Sequence, residues 1–335
     1  MIRKIVLLLW VVLICALCLP SVSGTAESAY TVDSCGLRGW DLNAGYQYVI
    51  MGYYPYEKDG TKAPVLWQVL AVENGKALLF TTYVIDTHQP TEISDKKIAD
   101  SKKYPAISDY GETDLNRWLN ETMIGDLLGD EPVLSAVTEE KYGRLYPLTD
   151  YELMNEEYGF TNQRFFEVRS RWAYATPYAL DKKLHPGYGS KLQKDQVHGT
   201  VGYWVAALKR DNKTGEEKPG RYLQICAGIA DPHKPKDTNI GHLSFGYLNR
   251  TTVGLRLAVR LDTSRIQVIS GNGSIWDPCR LAYVEDKNAE VKEVLTPPVR
   301  SAPTPVPTTP APVKNRPKLE TPGPEVTPVP VPGWI

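Results

Sequence analysis

The chain has 335 residues and a formal net charge of −1, with 38 basic and 39 acidic side chains. This balance leaves no basic surface for nucleic acid and no strong field to attract a charged partner, so we expect no nucleic-acid partner. Twenty Tyr and eight Trp against five Phe favour aromatic side chains with a polar tip, which suit half-buried surfaces and contact faces.

Residues 1–24 have the pattern of a secretory signal peptide. Arg3 and Lys4 precede an uncharged run at 5–19, and small residues follow it, as a signal-peptidase site requires. The run is shorter than the roughly 20 residues that a membrane span needs. The prediction is cleavage and an extracytoplasmic protein, secreted or associated with the cell surface, with no membrane span after cleavage. An uncleaved anchor and a lipoprotein at Cys18 are the alternatives.

Strand-like segments dominate the first part of the chain beyond the signal peptide. Residues 46–55 are predicted to form the first strand. Residues 65–72 and 76–84 flank an Asn-Gly dipeptide at 74–75, which is typical of a tight β-hairpin turn. The polar residues 86–112 predict a long irregular loop.

Two helices are predicted in the middle of the chain. Residues 113–128 start from an N-cap threonine and carry apolar side chains three and four positions apart. Trp118 lies on this apolar face, and the pattern alone leaves open whether the helix belongs to a catalytic site or to the frame of the fold. A second helix is expected to follow Thr149 and Asp150 and to end at Gly159.

Further short strands complete the pattern. We expect them at 133–137, 143–148, 202–208, 221–229, 253–261 and 265–270. Because the helices do not alternate with the strands, the order predicts an α+β fold with long irregular loops. The folded domain is expected to span residues 30–295.

Residues 296–335 differ in composition from everything before them. Thirteen of these 40 residues are proline. Proline donates no backbone hydrogen bond and fixes φ, so the segment predicts a disordered, extended C-terminal tail. A spacer is the favoured interpretation, with a ligand for a partner domain or a cell-wall stalk as alternatives.

Three cysteines remain after the signal peptide, namely Cys35, Cys226 and Cys279. An odd number leaves one free thiol or an intermolecular bridge. Cys226 lies in an apolar strand-like run, where a buried and inert thiol is expected. Cys35 and Cys279 flank the folded part, and a disulfide between them is the prediction. The alternative is that no disulfide forms.

Short motifs follow one another in an order that resembles a known bacterial family. They are G-Y-Y-P at 52–55, the Trp67–Leu79 hairpin pattern, L-N-R-W-L-N at 115–120, R-x-x-W-A-x-A-T-P-Y-A at 169–179, Y-W-V at 203–205 and V-G-L-R-L-A-V-R-L at 253–261. The series resembles a family of exported bacterial domains of unknown function. That family is similar to the C-type-lectin-like superfamily, near the formylglycine-generating (sulfatase-modifying factor) enzymes. The match covers about residues 45–262.

The resemblance implies a C-type-lectin-like mixed fold whose first and last strands lie together. It implies that Arg256, on the closing strand, is a buried or bridging structural residue. It also implies that the helix with Trp118 packs on the sheet, so that Trp118 is a structural residue and not part of an active site. The cysteine pair of the enzymes has no counterpart here, because residues 229–254 contain no cysteine. The calcium-dependent sugar motifs are also missing, since Trp276-Asp277 has no adjacent Asn and no first motif accompanies it.

The functional hypothesis is therefore a non-catalytic lectin-like module. We predict no catalytic residue, no cofactor and no metal site. Tyr203, Trp204 and Trp276 are the candidate ligand contacts, because aromatic rings stack on sugar faces and apolar side chains; core packing is the alternative for each. The expected partner is a cell-wall glycan, a host glycan or a surface protein.

Two other functional hypotheses stay open. One is a divergent enzyme on a formylglycine-generating-type fold, and the other is a structural envelope protein that works through its tail. Glu152 and Glu156 are interpreted as a solvated helix face rather than a catalytic pair. The acidic and histidine residues of 231–242 are interpreted as an ordinary surface loop rather than a metal site.

Overall fold

A computed structural model describes residues 33–88, 107–165, 168–182, 192, 194–195, 198–211, 213–218, 222–228, 240–247 and 253–285. The predicted signal peptide at 1–24 and the predicted tail at 296–335 lie outside these ranges. Most of the predicted loops at 86–112 and 231–242 also lie outside them. None of the helices within the described ranges combines the length and the apolarity needed to cross a membrane.

Eleven strands occur in the described residues. In chain order they are β1 (Gln47–Pro55), β2 (Lys62–Glu73), β3 (Lys76–Thr81), β4 (Asp86–Thr87), β5 (Tyr203–Leu208), β6 (Tyr222–Cys226), β7 (Leu243–Tyr247), β8 (Gly254–Leu255), β9 (Ala258–Asp262), β10 (Ile266–Ser270) and β11 (Cys279–Tyr283). They form a six-stranded sheet, β10-β11-β1-β2-β3-β9, and a five-stranded sheet, β4-β8-β5-β6-β7. This mixture of sheets and helices is compatible with the predicted α+β class.

Strands β2 and β3 form the hairpin that the Asn-Gly dipeptide predicts. Glu73 pairs with Lys76, and φ is 51° at Asn74 and 73° at Gly75. Positive φ at both turn residues gives a tight turn whose twist matches that of the flanking strands. The hairpin prediction is confirmed, although β2 begins at Lys62, earlier than expected.

The first and last strands of the described chain lie side by side. β1 pairs in parallel with β11, with Val49 opposite Cys279 and Ile50 opposite Arg280. This adjacency is one of the features that the lectin-like resemblance implies. It also explains why the two ends of the domain share one sheet.

The first predicted helix is present as a continuous helix, α1, with a wider turn in its middle. It runs as α-helix (Asp114–Trp118), π-helix (Leu119–Met123) and α-helix (Ile124–Leu128). The Thr113 side chain accepts a hydrogen bond from the backbone N–H of Asn116, so the predicted N-cap is confirmed.

The glycine at position 52 lets α1 approach β1 closely. Gly52 has φ +73°, and a Cβ there would lie 2.3 Å from the carbonyl oxygen of Leu127. Both the backbone conformation and the space therefore require glycine at this point. Leu115 and Leu119 are fully buried, so the apolar face of α1 belongs to the core.

The prediction of a second continuous helix, ending at Gly159, is wrong. Residues 149–159 form two separate 3₁₀ turns, Glu152–Met154 and Glu156–Tyr158. Asn155 lies between them in an extended conformation, and its side chain caps the second turn instead of continuing the first. The N-cap interpretation of Thr149 holds, because Thr149 and Glu152 exchange hydrogen bonds as a capping box. Gly159 ends the segment with φ 80°.

Several strand predictions also differ from the structure. Residues 133–137 contribute to a 3₁₀ helix (Pro132–Ala136), which the proline at its start favours. Residues 143–148 supply only isolated bridges, from Gly143 to Glu140 and from Tyr146 to Ala258. The run 253–261 is divided between β8 and β9. A short helix, α2 (Pro177–Asp181), was not predicted.

Trp118 and Arg256, which were predicted to be structural residues, differ in how deeply they are buried. Trp118 is partly buried and packs against the core, with its ring stacked on His88 at 4.1 Å. Arg256 is 3% exposed and donates from Nε to the Thr81 carbonyl and from Nη2 to the Gln68 side chain, both at 2.7 Å. It therefore bridges two neighbouring strands of the larger sheet from inside the core.

The predicted Cys35–Cys279 disulfide is absent from the structure. Both thiols are buried and free, and so is that of Cys226. The side-chain amide of Gln47 donates to the carbonyl oxygen of Gly36 and to the sulfur of Cys279, both at 3.3 Å. Gln47 thus fills the space next to Cys279, and the observed state is the alternative with no disulfide.

Candidate functional site

Two of the three predicted contact residues lie in the core. Tyr203 is 1% exposed and Trp204 is 0% exposed. Both belong to β5, whose six residues are all buried because the strand lies between β8 and β6 in the smaller sheet. The Trp204 ring N–H donates to the carbonyl oxygen of His88 at 3.0 Å. These side chains therefore offer no face to a ligand, and the contact prediction is wrong for both.

Trp276 is exposed, as a contact residue would be. It is 55% accessible in the turn between β10 and β11. It lines neither of the two pockets described below. Its ring is therefore exposed outside both of these pockets.

Three other exposed aromatic side chains converge on one pocket of about 480 Å³. They are Tyr151, Phe165 and Phe245, which are 66%, 51% and 44% exposed. We call this site the aromatic pocket. Its lining also includes Arg164, Lys209, Arg210, Asp211, Gln224, His242 and Ser244.

Elements distant in sequence position these three rings. Tyr151 follows directly after the capping residues 149–150 at the start of the first 3₁₀ turn. Phe245 lies on the edge strand β7, directly opposite Gln224 on β6. Directly opposed residues of paired strands share one face, so Phe245 and Gln224 meet at the pocket.

Each exposed ring is held by a neighbouring side chain. His242 packs edge-on against Phe165, with 4.9 Å between the ring centroids. The Lys209 ammonium lies 3.9 Å from the centre of the Phe245 ring, and the Arg210 guanidinium lies 4.5 Å from that of Tyr151. Such contacts stabilise exposed rings by up to about 1 kcal/mol each and reduce the cost of ordering them.

A buried carboxylate fixes the two arginines of the pocket. Asp150 is 1% exposed and accepts hydrogen bonds from Arg164 Nη2 and Arg210 Nε, both at 2.5 Å, and from Gln224 Nε2 at 3.0 Å. Burial by itself raises the pKa of Asp150. The hydrogen bonds from Arg210, Arg164 and Gln224 outweigh that effect and hold the pKa below its usual value. The carboxylate is therefore ionised at neutral pH.

A second depression, the polar cleft, borders the aromatic pocket. Its volume is about 780 Å³, and Tyr151 and Arg210 line both sites. Ion pairs cross it: Arg260 contacts Glu73 at 3.3 Å and Glu152 at 3.1 Å. The charges of this cleft are therefore largely compensated by one another.

The interpretation of Glu152 as a solvated residue is wrong. Its carboxylate accepts hydrogen bonds from Thr149, from the Tyr146 hydroxyl at 3.3 Å and from Arg260. The capping box draws the side chain toward the cleft and away from solvent. Glu156, in contrast, is exposed.

Another buried carboxylate lies on the smaller sheet, away from both pockets. Asp86 is 0% exposed and accepts from the Tyr54 hydroxyl at 2.5 Å, from Lys182 Nζ at 2.6 Å and from the Thr87 backbone N–H at 2.6 Å. Lys182 directly follows α2, so this ion pair ties the helix to β4. Its partners line neither the aromatic pocket nor the polar cleft.

Two side chains that could take part in catalysis, Cys226 and Asp150, are both buried. Burial raises the pKa of the Cys226 thiol to about 11, so it is protonated at neutral pH and not nucleophilic. Within the described ranges, no three His, Cys, Asp or Glu side chains are grouped so that they could hold a metal ion. Asp150 is covered by its arginine partners and has no open position for a substrate proton.

The sequence contained a weak signal for the aromatic pocket. Tyr151 lies inside the T-x-x-E capping box of residues 149–152. This box fixes where a helical turn starts, but it does not fix which side of the turn is buried. Phe165 lies in the largely polar stretch Q-R-F-F-E at 163–167, whereas Phe245 lies in the alternating run L-S-F-G-Y at 243–247. His242 falls in the segment interpreted as an ordinary loop, yet it lines the pocket.

Comparison with known proteins adds no relative. A scan against protein-family models, a search of curated proteins and a search of solved structures each found no match. The resemblance of residues 45–262 to lectin-like domains therefore rests on the sequence motifs alone.

Proposed function

We propose that the chain is an exported, non-catalytic lectin-like module that binds a ligand at the cell surface through the aromatic pocket. The observation that carries this proposal is the convergence of Tyr151, Phe165 and Phe245, all at least 44% exposed, on one pocket. Exposed apolar surface rimmed by polar groups is typical of interaction sites. The volume of about 480 Å³ is within the range of small-ligand pockets.

The energetics favour recognition at this place. An aromatic side chain has roughly 150–250 Å² to bury, and burial contributes about 25 cal/mol per Å². The three rings keep much of this surface in water, so a ligand that covers them gains binding free energy. Because neighbouring cations already hold two of the rings, little side-chain freedom is left to lose on binding.

Asp150 supports binding rather than catalysis. A general acid or base must reach the proton it transfers, within a hydrogen-bond distance. Asp150 is 1% exposed, and Arg164, Arg210 and Gln224 surround its carboxylate. Its role in the proposal is to hold the arginines in place at the wall of the pocket.

The ends of the chain complete the proposal. The signal-peptide pattern of residues 1–24 supports export. The proline-rich residues 296–335 support a spacer that keeps the module at a distance from its attachment point. The partner is a glycan or another molecule of the cell surface.

A sedimentation assay with cell-wall sacculi, together with a glycan array, tests the proposal. The purified secreted protein should be retained, and Tyr151→Ala, Phe165→Ala and Phe245→Ala should each weaken retention about tenfold while leaving the far-UV circular dichroism unchanged. Trp276→Ala is the matched control, because it removes an equally exposed aromatic ring outside the pocket. Retention that survives all three pocket variants, or that depends on Trp276, would contradict the proposed contact surface.

A further inference from the structure

The composition of the tail matches the chemistry of the aromatic pocket. Residues 296–335 contain 13 prolines, and residues 307–310 read P-T-T-P, which is a P-x-x-P motif. Proline-rich segments favour a polyproline II helix with three residues per turn, so the two prolines of such a motif lie on one edge of the helix. Domains that recognise this helix bind it in grooves lined by aromatic rings. The chain therefore carries both halves of such a contact.

The aromatic pocket has the rings that such a groove needs. Tyr151, Phe165 and Phe245 are 66%, 51% and 44% exposed, and they line one concave surface. A proline ring is apolar and its φ is already fixed, so it loses little conformational entropy when it packs on these rings. The backbone carbonyls of a polyproline II helix have no internal hydrogen bonds, and the Tyr151 hydroxyl can donate to one of them. The pocket therefore suits this helix in both respects.

The polar cleft next to this pocket keeps an excess of negative charge. Arg260 alone faces two carboxylates, those of Glu73 and Glu152. Glu216 also lines the cleft, and it is exposed and forms no ion pair with the residues that the structure describes. The other charged lining residues are compensated: Lys76 by Glu140, Lys141 by Asp109, and the pair Asp150 and Glu217 by Arg164 and Arg210. One negative charge is thus left over at Arg260 and another at Glu216.

The tail carries the opposite charge directly after its P-x-x-P motif. Residues 314–318 read K-N-R-P-K and hold three basic side chains. A polyproline II helix rises about 3.1 Å per residue, so Lys314 lies roughly 12 Å beyond Pro310. The pocket and the cleft are neighbours, because Tyr151 and Arg210 line both. One continuous segment can therefore place its prolines on the rings and its basic side chains on the cleft.

The tail is also long enough for this contact. The described residues end at 285, and residues 286–310 lead from there to the motif. In an extended conformation these residues span on the order of 80 Å. A domain of the expected size has a radius of gyration of about 18 Å, so every face of it is within reach.

We propose that residues 307–318 of the tail dock on the aromatic pocket and the polar cleft of their own chain. Pro307 and Pro310 pack on the exposed rings, and the basic residues of 314–318 lie over the acidic cleft. This inference goes beyond the proposed function, because the docked segment belongs to the chain itself. A surface ligand that binds the same rings must displace the tail, which then becomes available as a spacer.

Limited trypsin digestion of the full secreted protein tests this contact. Lys314 and Lys318 lie within the docked segment, whereas Arg300 precedes it. Docking should slow cleavage after Lys314 and Lys318 about fivefold or more, relative to a synthetic peptide of residues 296–335. Cleavage after Arg300 is the internal control and should have a similar rate in protein and peptide. Equal rates at all three sites would overturn the proposal.

Variants of the domain show where the tail docks. Tyr151→Ala should restore rapid cleavage after Lys314, whereas Trp276→Ala should not, because Trp276 lies outside both pockets. Glu216→Gln removes an exposed charge of the cleft and should speed this cleavage about twofold. Glu156→Gln, an exposed acid that lines neither site, should leave it unchanged. Protection that survives Tyr151→Ala, at an unchanged urea midpoint, would place the tail on another face.

Variants of the tail show which segment docks. Pro307→Ala/Pro310→Ala should remove the protection, and these substitutions cannot disturb the folded domain. Pro328→Ala/Pro330→Ala is the matched control, because it removes two prolines outside the docked segment and should leave the protection in place. Protection that increases with protein concentration would show docking of a second copy's tail, and this result would overturn the intramolecular contact.

Retention on sacculi, measured on the same variants, separates this inference from the proposed function. Release of the tail in Pro307→Ala/Pro310→Ala should increase retention about threefold, because the tail no longer competes with the ligand. If retention depends on Tyr151 and cleavage of the tail does not, the binding module stands and the docked tail is wrong. If protection depends on Tyr151 and retention does not, the docked tail stands and the proposed function is wrong.

Discussion

The regions around Asp86 and Asp150 look alike at first and differ in one respect. Both carboxylates are at most 1% exposed, and each is held by cationic partners. Lys182, the partner of Asp86, lines neither pocket, whereas Arg164 and Arg210, the partners of Asp150, line the aromatic pocket. Burial and ion pairing therefore do not mark a binding site by themselves. The proposed site differs in that the partners of its buried carboxylate line a concave surface.

The same contrast separates the aromatic residues of the two regions. Trp204, in β5, is fully buried. Its ring N–H donates to the carbonyl oxygen of His88, two residues after Asp86. Tyr151 is adjacent in sequence to Asp150 and keeps 66% of its surface exposed. The core thus uses aromatic volume for packing, whereas the pocket leaves aromatic surface exposed.

The largest expected effect is on the free energy of unfolding, when a packed aromatic ring of the core is removed instead of an exposed ring of the pocket. Trp204→Ala should lower the free energy of unfolding by about 3–5 kcal/mol, because it leaves a cavity in the core and an unpaired carbonyl. Tyr151→Ala should lower it by less than about 0.5 kcal/mol, as is usual for an exposed position. Urea denaturation of the two variants measures the difference. Comparable losses in both variants would remove the distinction between frame and pocket.

A somewhat smaller effect distinguishes the two carboxylates directly. Asp86→Ala removes the charge partner of Lys182 and the acceptor of Tyr54, and should cost about 3 kcal/mol of stability without changing the affinity of the pocket. Asp150→Ala should cost about 2 kcal/mol, since Arg164 and Arg210 retain some contact with water. It should also abolish retention on sacculi, because the arginines lose their fixed positions.

Both measurements are needed to interpret these variants. The denaturation midpoint gives the stability cost, and retention of the folded fraction gives the binding effect. If Asp86→Ala weakened binding as strongly as Asp150→Ala at equal stability, the Asp86 region would belong to the site, contrary to the comparison.

Local sequence patterns predicted the secondary structure correctly where one local interaction decides it. The Asn-Gly hairpin and the Thr113 cap are confirmed, because turn conformation and capping depend on a few adjacent residues. The pattern failed at residues 149–159, where Asn155 competes for the backbone and divides the expected helix into two 3₁₀ turns. Such competition is not visible in an apolar periodicity.

The candidate site was much harder to predict. Tyr203 and Trp204 lie in a strand with both faces covered, and whether a second layer covers a strand depends on distant segments. The aromatic pocket brings together residues from 151 to 245, so no local motif contains it. Aromatic content suggested a contact face, but only the tertiary structure distinguishes an exposed ring from a packed one.

The pH dependence of the free energy of unfolding compares the two regions in a further way. Burial, followed by the nearby charge of Lys182, lowers the pKa of His88 to about 4, and its ring is stacked on Trp118. The unfolded chain binds a proton at this residue below about pH 6.5, whereas the folded chain binds it only near pH 4. Stability should therefore fall by roughly 2.5 kcal/mol as the pH drops from 6.5 to 4.

Histidine variants assign this loss to one region. His88→Asn should remove most of the slope between pH 6.5 and 4, because a neutral amide takes up no proton. His242→Asn should flatten the slope less, since His242 lines the open aromatic pocket and pays a smaller desolvation cost on protonation. Denaturation midpoints measured at several pH values compare the slopes of the three proteins. A slope that persists in His88→Asn and vanishes in His242→Asn would place the pH-sensitive group in the pocket, and the frame would then be the region that tolerates acid.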